Sequence, residues 1–142
     1  MTLTNDGGPP VASSRWTTGS SRWPVSAASG RRPVVGLIGD GSSQYSVQAL
    51  WTAAQHKLPI VYVVMRNDEY SILKSFAVLE ETRGVPGLDL PGLDIAAVAG
   101  GFGCRGVDVQ TTEELEREFK GALSADTTTV IVVRTQSQKA ML

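Results

Sequence analysis

The stretch that decides the fold runs from Val34 to Asn67 and reads VVGLIGDGSSQYSVQALWTAAQHKLPIVYVVMRN. It opens with a short apolar run at 34–38 that ends in glycine, which predicts a buried strand. Residues 45–55 contain neither glycine nor proline, and we predict a helix there. After Pro59, residues 60–65 are apolar at every position, a pattern typical of a parallel strand covered on both faces. The stretch therefore predicts a strand–helix–strand unit.

The remainder of the chain repeats this alternation of helices and strands. Further helices are predicted at Tyr70–Glu80, at Asp94–Ala99 (stopped by Gly100-Gly101) and from Thr111 to about Ser124, and further strands at 104–107 and 129–133. The last helix opens with Thr111 and Glu114 in a capping-box arrangement, and Arg83–Pro91 is predicted to be a loop because Pro-Gly pairs mark it. This order predicts an α/β fold with three αβα layers and a mainly parallel sheet.

Composition excludes several classes of function. A formal net charge of −1 over 142 residues favours neither nucleic acid nor an anionic membrane as a partner. No run approaches the roughly 20 apolar residues of a membrane span. Cys104 and His56 are the only residues of their kinds, which excludes an internal disulfide, a cysteine-rich metal site and a histidine pair. We expect a soluble protein in the reducing cytoplasm.

The first part of the chain has a different composition. Residues 1–32 are rich in Ser, Gly, Pro and Arg, and the tetrapeptide SSRW occurs at both 13–16 and 20–23. Because apolar periodicity is absent, we predict an irregular segment, a disordered or non-native leader. Two basic-aromatic pairs are too few to predict a stacking surface for nucleic acid. Residues 33–142 are predicted to form one domain, a partial one.

Two polar residues follow the ends of the two predicted strands. Asp40 lies just past the end of the first predicted strand, and Asn67 lies just past the end of the second. If these strands are neighbours, their carboxyl ends place a carboxylate and an amide oxygen at one edge of the sheet, where α/β proteins bind ligands. Such hard oxygen ligands suit Mg²⁺. Gly39 and Gly41 let the backbone approach a ligand closely, and the hydroxyls at 42–43 favour a phosphate.

Each of these signals has a simpler structural explanation when it stands alone. Gly-Asp-Gly and Asn-Asp are common turn sequences, and the 27-residue interval from Asp40 to Asn67, filled by one helix and one strand, is what favours a site. The run GFGCRG at 101–106 matches GxGxxG, but it follows a helix and precedes a strand, so we interpret it as a helix stop. We interpret His56 as a helix-end residue, Cys104 as a small buried apolar residue and Glu113–Lys120 as a solvated helix face.

The motif and its surroundings resemble a known family. Gly39-Asp40-Gly41, a helix, a strand and Asn67 resemble the cofactor motif of thiamine diphosphate-dependent enzymes. The stretches SVQALWTAAQHKLP at 46–59 and VPGLDLPGLDI at 85–95 further resemble the cofactor-binding domain of the benzoylformate decarboxylase group. The second stretch is the more specific, because metal binding does not require it. The resemblance covers residues 32–137.

This resemblance implies a set of functional residues. Mg²⁺ would be bound by the side chains of Asp40 and Asn67 and by the main-chain carbonyl of Glu69. The residues expected to contact thiamine diphosphate are Gly39, Asp40, Gly41, Ser42, Ser43, Tyr45, Asn67, Glu69, Tyr70, Ser71, Ile72 and Leu73, with Leu73 and Phe76 nearer the substrate. The sequence departs from the family pattern at Gln44, Arg66 and Asp68, and the last two place opposite charges beside the metal loop.

The resemblance carries over no catalytic residue. In the family, the glutamate that protonates the aminopyrimidine ring lies on a separate pyrimidine-binding domain. The resemblance thus implies the thiamine diphosphate and Mg²⁺ binding domain of a benzoylformate decarboxylase-like 2-oxo acid decarboxylase, inactive by itself. It would form a homo-oligomer or pair with a pyrimidine-domain chain. The alternatives are a domain of an acetolactate synthase-like carboligase and a non-catalytic remnant or interaction module, left by truncation or a reading-frame change upstream.

Overall fold

The computed structural model describes residues 34–82 and 84–136. Within them the chain forms four strands and five α-helices, in the order β1 (Val34–Gly39), α1 (Asp40–Ser43), α2 (Ala49–Gln55), β2 (Ile60–Arg66), α3 (Ser71–Leu79), α4 (Ile95–Gly101), β3 (Arg105–Val109), α5 (Thr112–Leu123) and β4 (Thr129–Arg134). A 3₁₀ turn, Gln44–Ser46, follows α1. The predicted leader, 1–32, lies outside the described residues, so that boundary stays a prediction.

The four strands form one sheet with the order β1-β2-β4-β3, and all three pairings are parallel. In the register of β1 and β2, Gly39 lies beside Met65, so the two strands end at the same edge. The predicted α/β fold with a parallel sheet is confirmed.

Helices cover both faces of this sheet and complete three layers. One face packs on α2 and α4 around Leu50, Tyr62 and Ile95. The other face packs on α5, around Val61, Ile131 and Ala122. Strand β2 is buried over its first five residues because helices lie on both of its sides, as its continuous apolar run predicts.

The structure corrects two predicted helix boundaries. The helix predicted at 45–55 begins later than predicted, since residues 44–46 form a 3₁₀ turn and α2 starts at Ala49. The helix predicted at 94–99 ends two residues later than predicted, because Gly100 and Gly101 both belong to α4. Gly103 follows with a φ of +87°, a left-handed conformation in which glycine is favoured, and it turns the chain into β3.

Gly106, the last residue of the GFGCRG run, lets β3 lie close to α4. A Cβ atom at this position would overlap the main-chain carbonyl of Ala96 in α4. The missing side chain therefore lets the helix lie directly on the strand. The structure agrees with the interpretation of the run as a helix stop, because α4 ends at Gly101 and β3 begins at Arg105.

The capping signals are also present as hydrogen bonds. The Thr111 hydroxyl accepts the Glu114 N–H at 3.2 Å, and the Glu114 carboxylate accepts the N–H of Gln110 at 2.8 Å. Asp94 caps α4 by accepting the Ala97 N–H at 2.9 Å. In the part of the chain that the structure describes, no helix has the length and apolar character needed to cross a membrane.

Candidate cofactor-binding site

Asp40 is the centre of the polar contacts at the carboxyl edge of the sheet. It is only 3% exposed. Its Oδ2 accepts the main-chain N–H of Asn67 at 3.0 Å and that of Asp68 at 2.7 Å, while Oδ1 accepts the N–H of Gly41 at 2.8 Å. The two residues that the sequence places at neighbouring strand ends are thus in direct contact.

The acceptor capacity of this carboxylate matters for ligand binding. Two carboxylate oxygens accept about four hydrogen bonds, and main-chain N–H groups supply three to Asp40. The capacity for a fourth contact is at Oδ1, since Oδ2 already accepts two N–H groups. An oxygen of this kind fits a hard cation such as Mg²⁺, which takes few protein ligands and completes its shell with phosphate and water.

Asn67 presents its amide beside this carboxylate. Its Oδ1 accepts the N–H of Glu69 at 3.3 Å, and its amide nitrogen donates to the hydroxyl of Ser71. The amide oxygen keeps acceptor capacity for a second contact. Within residues 34–82 and 84–136, no three His, Cys, Asp or Glu side chains cluster as metal ligands. A cation here would therefore rely on one carboxylate together with amide and carbonyl oxygens.

The backbone around Glu69 is fixed by the loop at 88–90. Glu69 and Asp89 form an antiparallel bridge, flanked by hydrogen bonds of 2.8 Å from the Tyr70 N–H to the Leu88 carbonyl and from the Leu90 N–H to the Asp68 carbonyl. The VPGLDLPGLDI stretch thus contributes a structural support for the loop that carries Asn67.

The Glu69 side chain is held by Ser71 and Lys74. Its carboxylate accepts the Ser71 hydroxyl at 2.7 Å and forms an ion pair with Lys74, which also pairs with Asp89. Hydrogen bonds to Asp89 and then to Glu69 raise the pKa of the Lys74 ammonium. This arrangement leaves the predicted role of position 69 to the main chain.

A cleft of about 220 Å³ opens above Asp40. The lining consists of Gly39, Asp40, Gly41, Ser42, Met65, Asn67, Glu69, Tyr70, Ser71, Ile72 and Thr135. Nine of the twelve predicted cofactor residues are among them. At Gly41, a Cβ atom would lie 2.5 Å from the Tyr70 ring, so glycine is required for the ring to close one side of the cleft.

Three of the predicted residues do not line this cleft. Ser43 is buried, and its hydroxyl donates to the Asp40 carbonyl at 2.6 Å, which occupies the group that was expected to bind phosphate. Tyr45 is 64% exposed and Leu73 is 41% exposed.

Two lining residues were missed, Met65 and Thr135. Thr135 follows β4, and both its N–H and its hydroxyl donate to the Arg66 carbonyl, at 2.8 and 3.1 Å. The rule that places ligands at strand ends would have found Thr135, but only with the strand order known, because β4 lies between β2 and β3 and so ends beside Arg66 of β2.

Arg66 and Asp68, the charged departures from the family pattern, form an ion pair. The Arg66 Nε donates to Asp68 Oδ1 at 2.6 Å, and Arg134 lies 3.7 Å from the other oxygen of the same carboxylate. The hydrogen bond to Asp68 is the main reason that the pKa of Arg66 is raised, and the charge of Asp40 adds to it. The two opposite charges therefore neutralise one another beside the cleft.

The chain matches one protein family and is similar to several known proteins. The family described as "Thiamine pyrophosphate enzyme, C-terminal TPP binding domain" matches residues 16–133. The chain is similar to benzoylformate decarboxylase of Pseudomonas aeruginosa, with 47% identity over 107 residues that cover 75% of this chain and 20% of the relative. Acetolactate synthase of Bacillus subtilis is 29% identical over 100 residues, which cover 70% of this chain and 17% of the relative.

A solved structure is similar as well. The crystal structure of benzoylformate decarboxylase from Polynucleobacter necessarius superimposes with a TM-score of 0.76 and 50% sequence identity, covering 82% of this chain and 22% of that one. The chain thus spans about a fifth of the length of the relatives it matches.

Proposed function

Because the chain belongs to the C-terminal cofactor-binding domain family of thiamine pyrophosphate enzymes, we propose that it binds Mg²⁺ and the diphosphate of thiamine diphosphate in the cleft above Asp40. The observation that carries the proposal is the Asp40 carboxylate itself. It is buried and accepts three main-chain N–H groups, of which those of Asn67 and Asp68 join the ends of β1 and β2. It keeps capacity for one further contact at Oδ1.

In this proposal each residue has a defined task. Asp40, Asn67 and the main-chain carbonyl of Glu69 hold the cation, which neutralises the diphosphate charge. Ser42, whose side chain is exposed in the cleft, hydrogen-bonds a phosphate oxygen. The Tyr70 ring, packed over Gly41, excludes water from one side. When bound, thiamine diphosphate supplies the electron sink that stabilises a carbanion.

For the whole enzyme, we propose a benzoylformate decarboxylase-like 2-oxo acid decarboxylase. The 47% identity to the decarboxylase, against 29% to the acetolactate synthase, supports this reaction class over a carboligase. Decarboxylation in the family requires the pyrimidine-binding domain that carries the glutamate, so we propose that residues 34–136 act together with such a domain. We place the complex in the cytoplasm, where the lone thiol of Cys104 stays reduced.

The apolar surface of α3 supports pairing with another chain. This helix has no buried residue, and Ile72, Phe76 and Leu79 are each more than half exposed. An apolar surface of this kind, next to a cofactor cleft, is typical of an interface. We propose that a second subunit or a pyrimidine-domain chain covers it.

Titration calorimetry of the full chain with thiamine diphosphate, with and without Mg²⁺, tests the binding proposal. We expect Mg²⁺-dependent binding that Asp40→Asn weakens at least about tenfold, a loss of about 1.4 kcal/mol. Asp126→Asn is the matched control, because Asp126 is an exposed carboxyl group before β4, at the opposite edge of the sheet. No heat from the folded parent chain, or equal binding by Asp40→Asn, would contradict the proposal.

A complementation assay separates the possible reactions. The chain is mixed with a pyrimidine-binding domain and given aromatic 2-oxo acids or pyruvate. Release of an aldehyde supports the decarboxylase, and a new carbon–carbon product supports the carboligase. Cofactor-independent association on a sizing column without turnover would favour the non-catalytic remnant.

A further inference from the structure

Asp68 has a backbone conformation that few side chains adopt. Its φ is +60°, in the left-handed region, and aspartate is among the few non-glycine residues enriched there. In this conformation its N–H donates to Asp40 Oδ2 at 2.7 Å, and its carbonyl accepts the Leu90 N–H at 2.8 Å. The geometry around Asp40 therefore depends on the left-handed turn at position 68.

The side chain of Asp68 fixes that turn to two strands. It accepts the Arg66 Nε at 2.6 Å, from the last residue of β2, and lies 3.7 Å from Arg134, the last residue of β4. Arg66 and Arg134 are register partners, so one carboxylate spans both strand ends. The Asp68 side chain is 33% exposed and that of Arg66 is 26% exposed, which limits screening of this pair by water. Arg134 is 72% exposed, so its longer contact with Asp68 is the weaker of the two.

Hydrogen bonds from Thr135 hold the segment at its other end, at Arg66. The Arg66 carbonyl accepts both the N–H and the hydroxyl of Thr135. The segment 66–68 is thus attached to β4 at its first residue through the backbone and at its last residue through the Asp68 side chain. Between them lies Asn67, which is proposed to bind the cation.

We propose that the group Arg66, Asp68 and Arg134 is a positioning clamp, which holds the N–H groups of Asn67 and Asp68 on one oxygen of Asp40 and so keeps the other oxygen for the cation. Asp68 also neutralises Arg66, whose positive charge would otherwise oppose a cation at this place. The inference rests on the proposed function. The inference goes beyond the proposed function because it assigns a role to Arg66 and Asp68, which depart from the family pattern.

Four variants of the full chain test the clamp. Asp68→Asn keeps the shape and the tolerance of a left-handed φ but removes the charge, and Asp68→Gly keeps the conformation but removes the side chain. Arg66→Gln removes the partner, and the fourth variant combines Arg66→Gln with Asp68→Asn. Glu116→Gln is the matched control, because it breaks an exposed ion pair with Lys120 in α5.

The first measurement is amide hydrogen exchange at Asn67 and Asp68 without cofactor or metal. We expect exchange to be about fivefold or more faster in both single variants at Asp68 and in Arg66→Gln, which corresponds to about one kcal/mol of lost protection. Glu116→Gln should leave both amides unchanged. Unchanged exchange in Asp68→Asn and Asp68→Gly would overturn the clamp, whether or not the chain binds the cofactor.

The second measurement is the Mg²⁺ concentration that half-saturates thiamine diphosphate binding. We expect it to rise about fivefold or more in Asp68→Gly and Asp68→Asn, and the double variant should be no worse than Asp68→Asn because the residues act as one unit. A merely structural role would lower the melting temperature without moving this midpoint, and that result overturns the inference. If the parent chain does not bind, the proposed function fails, and the exchange result alone decides the clamp.

Discussion

The carboxylate of Asp40 accepts the main-chain N–H of Asn67 at 3.0 Å across 27 residues of sequence. The same oxygen accepts the N–H of Asp68 at 2.7 Å. These bonds join the end of β1 to the end of β2 before any ligand is present. The residue proposed to bind the cation is therefore also a structural latch.

Removal of this latch should destabilise the chain even without ligand. In Asp40→Ala, three main-chain N–H groups lose their acceptor, and one buried unsatisfied donor costs about 1–3 kcal/mol. We expect a loss of at least about 2 kcal/mol in the free energy of unfolding, measured by urea denaturation. Asp40→Asn should lose less, since its amide oxygen still accepts N–H groups. Equal stability of Asp40→Ala and the parent chain would contradict the latch.

Gly41→Ala should act on the cleft more than on stability. The added methyl group meets the Tyr70 ring at 2.5 Å, so the ring must turn, and ring and methyl together narrow the cleft. We expect thiamine diphosphate affinity to fall about tenfold, equivalent to about 1.4 kcal/mol, as measured by calorimetry. Gly39→Ala is the matched control, because its methyl group would approach only Ser42 Oγ, at 3.9 Å. Equal effects of the two variants would argue against steric closure by Tyr70.

Gly106→Ala should destabilise the packing of α4 on β3. The methyl group overlaps the carbonyl of Ala96, which belongs to a helix backbone and cannot rotate away. Overpacking costs about 1–3 kcal/mol, and we expect the upper part of that range in urea denaturation. Gly121→Ala is the contrasting variant, since nothing lies within 4 Å of its added methyl group in α5. It should stabilise the chain by about 0.5–1 kcal/mol.

Stability should fall as the pH rises into the alkaline range. Burial, and then the charge of Cys104, raises the pKa of Tyr62, and burial raises the pKa of Cys104. The folded chain keeps both protons at pH values where the unfolded chain loses them, near pH 8.5 for cysteine and about pH 10 for tyrosine. The stabilisation is thus complete below these values and is lost as the pH rises.

Urea midpoints measured between pH 7 and pH 11 check this prediction. Tyr62→Phe should flatten the profile above about pH 10, and Cys104→Ala should flatten it from about pH 8.5. Slopes that remain the same in both variants would show that other groups cause the alkaline loss.

The sequence predicted more of the fold than of the site. The burial of residues 60–65 could be predicted from their sequence, because a strand that is covered on both faces has no polar side. The end of α4 was predicted two residues too early, because the sequence does not show whether two glycines belong to a short helix or follow it. In the structure both belong to α4, and the left-handed turn comes later, at Gly103. At the candidate site, Asp40 and Asn67 were predicted from their places near strand ends and from the interval between them. Thr135 was not, because its place depends on strand order.

The sequence by itself determined the alternation of helices and strands, the carboxylate and amide side chains near the two strand ends, and the family. Local patterns carry this information, because periodicity, glycine positions and motif spacing are properties of neighbouring residues. Only the tertiary structure decided that Ser43 faces the Asp40 carbonyl, that Arg66 pairs with Asp68, and that one oxygen of Asp40 keeps an open direction. The first two outcomes depend on the local backbone conformation, since the partners lie only two or three residues apart. The third depends on the N–H groups of Asn67 and Asp68, 27 and 28 residues from Asp40, which the packing of the sheet brings to its carboxylate.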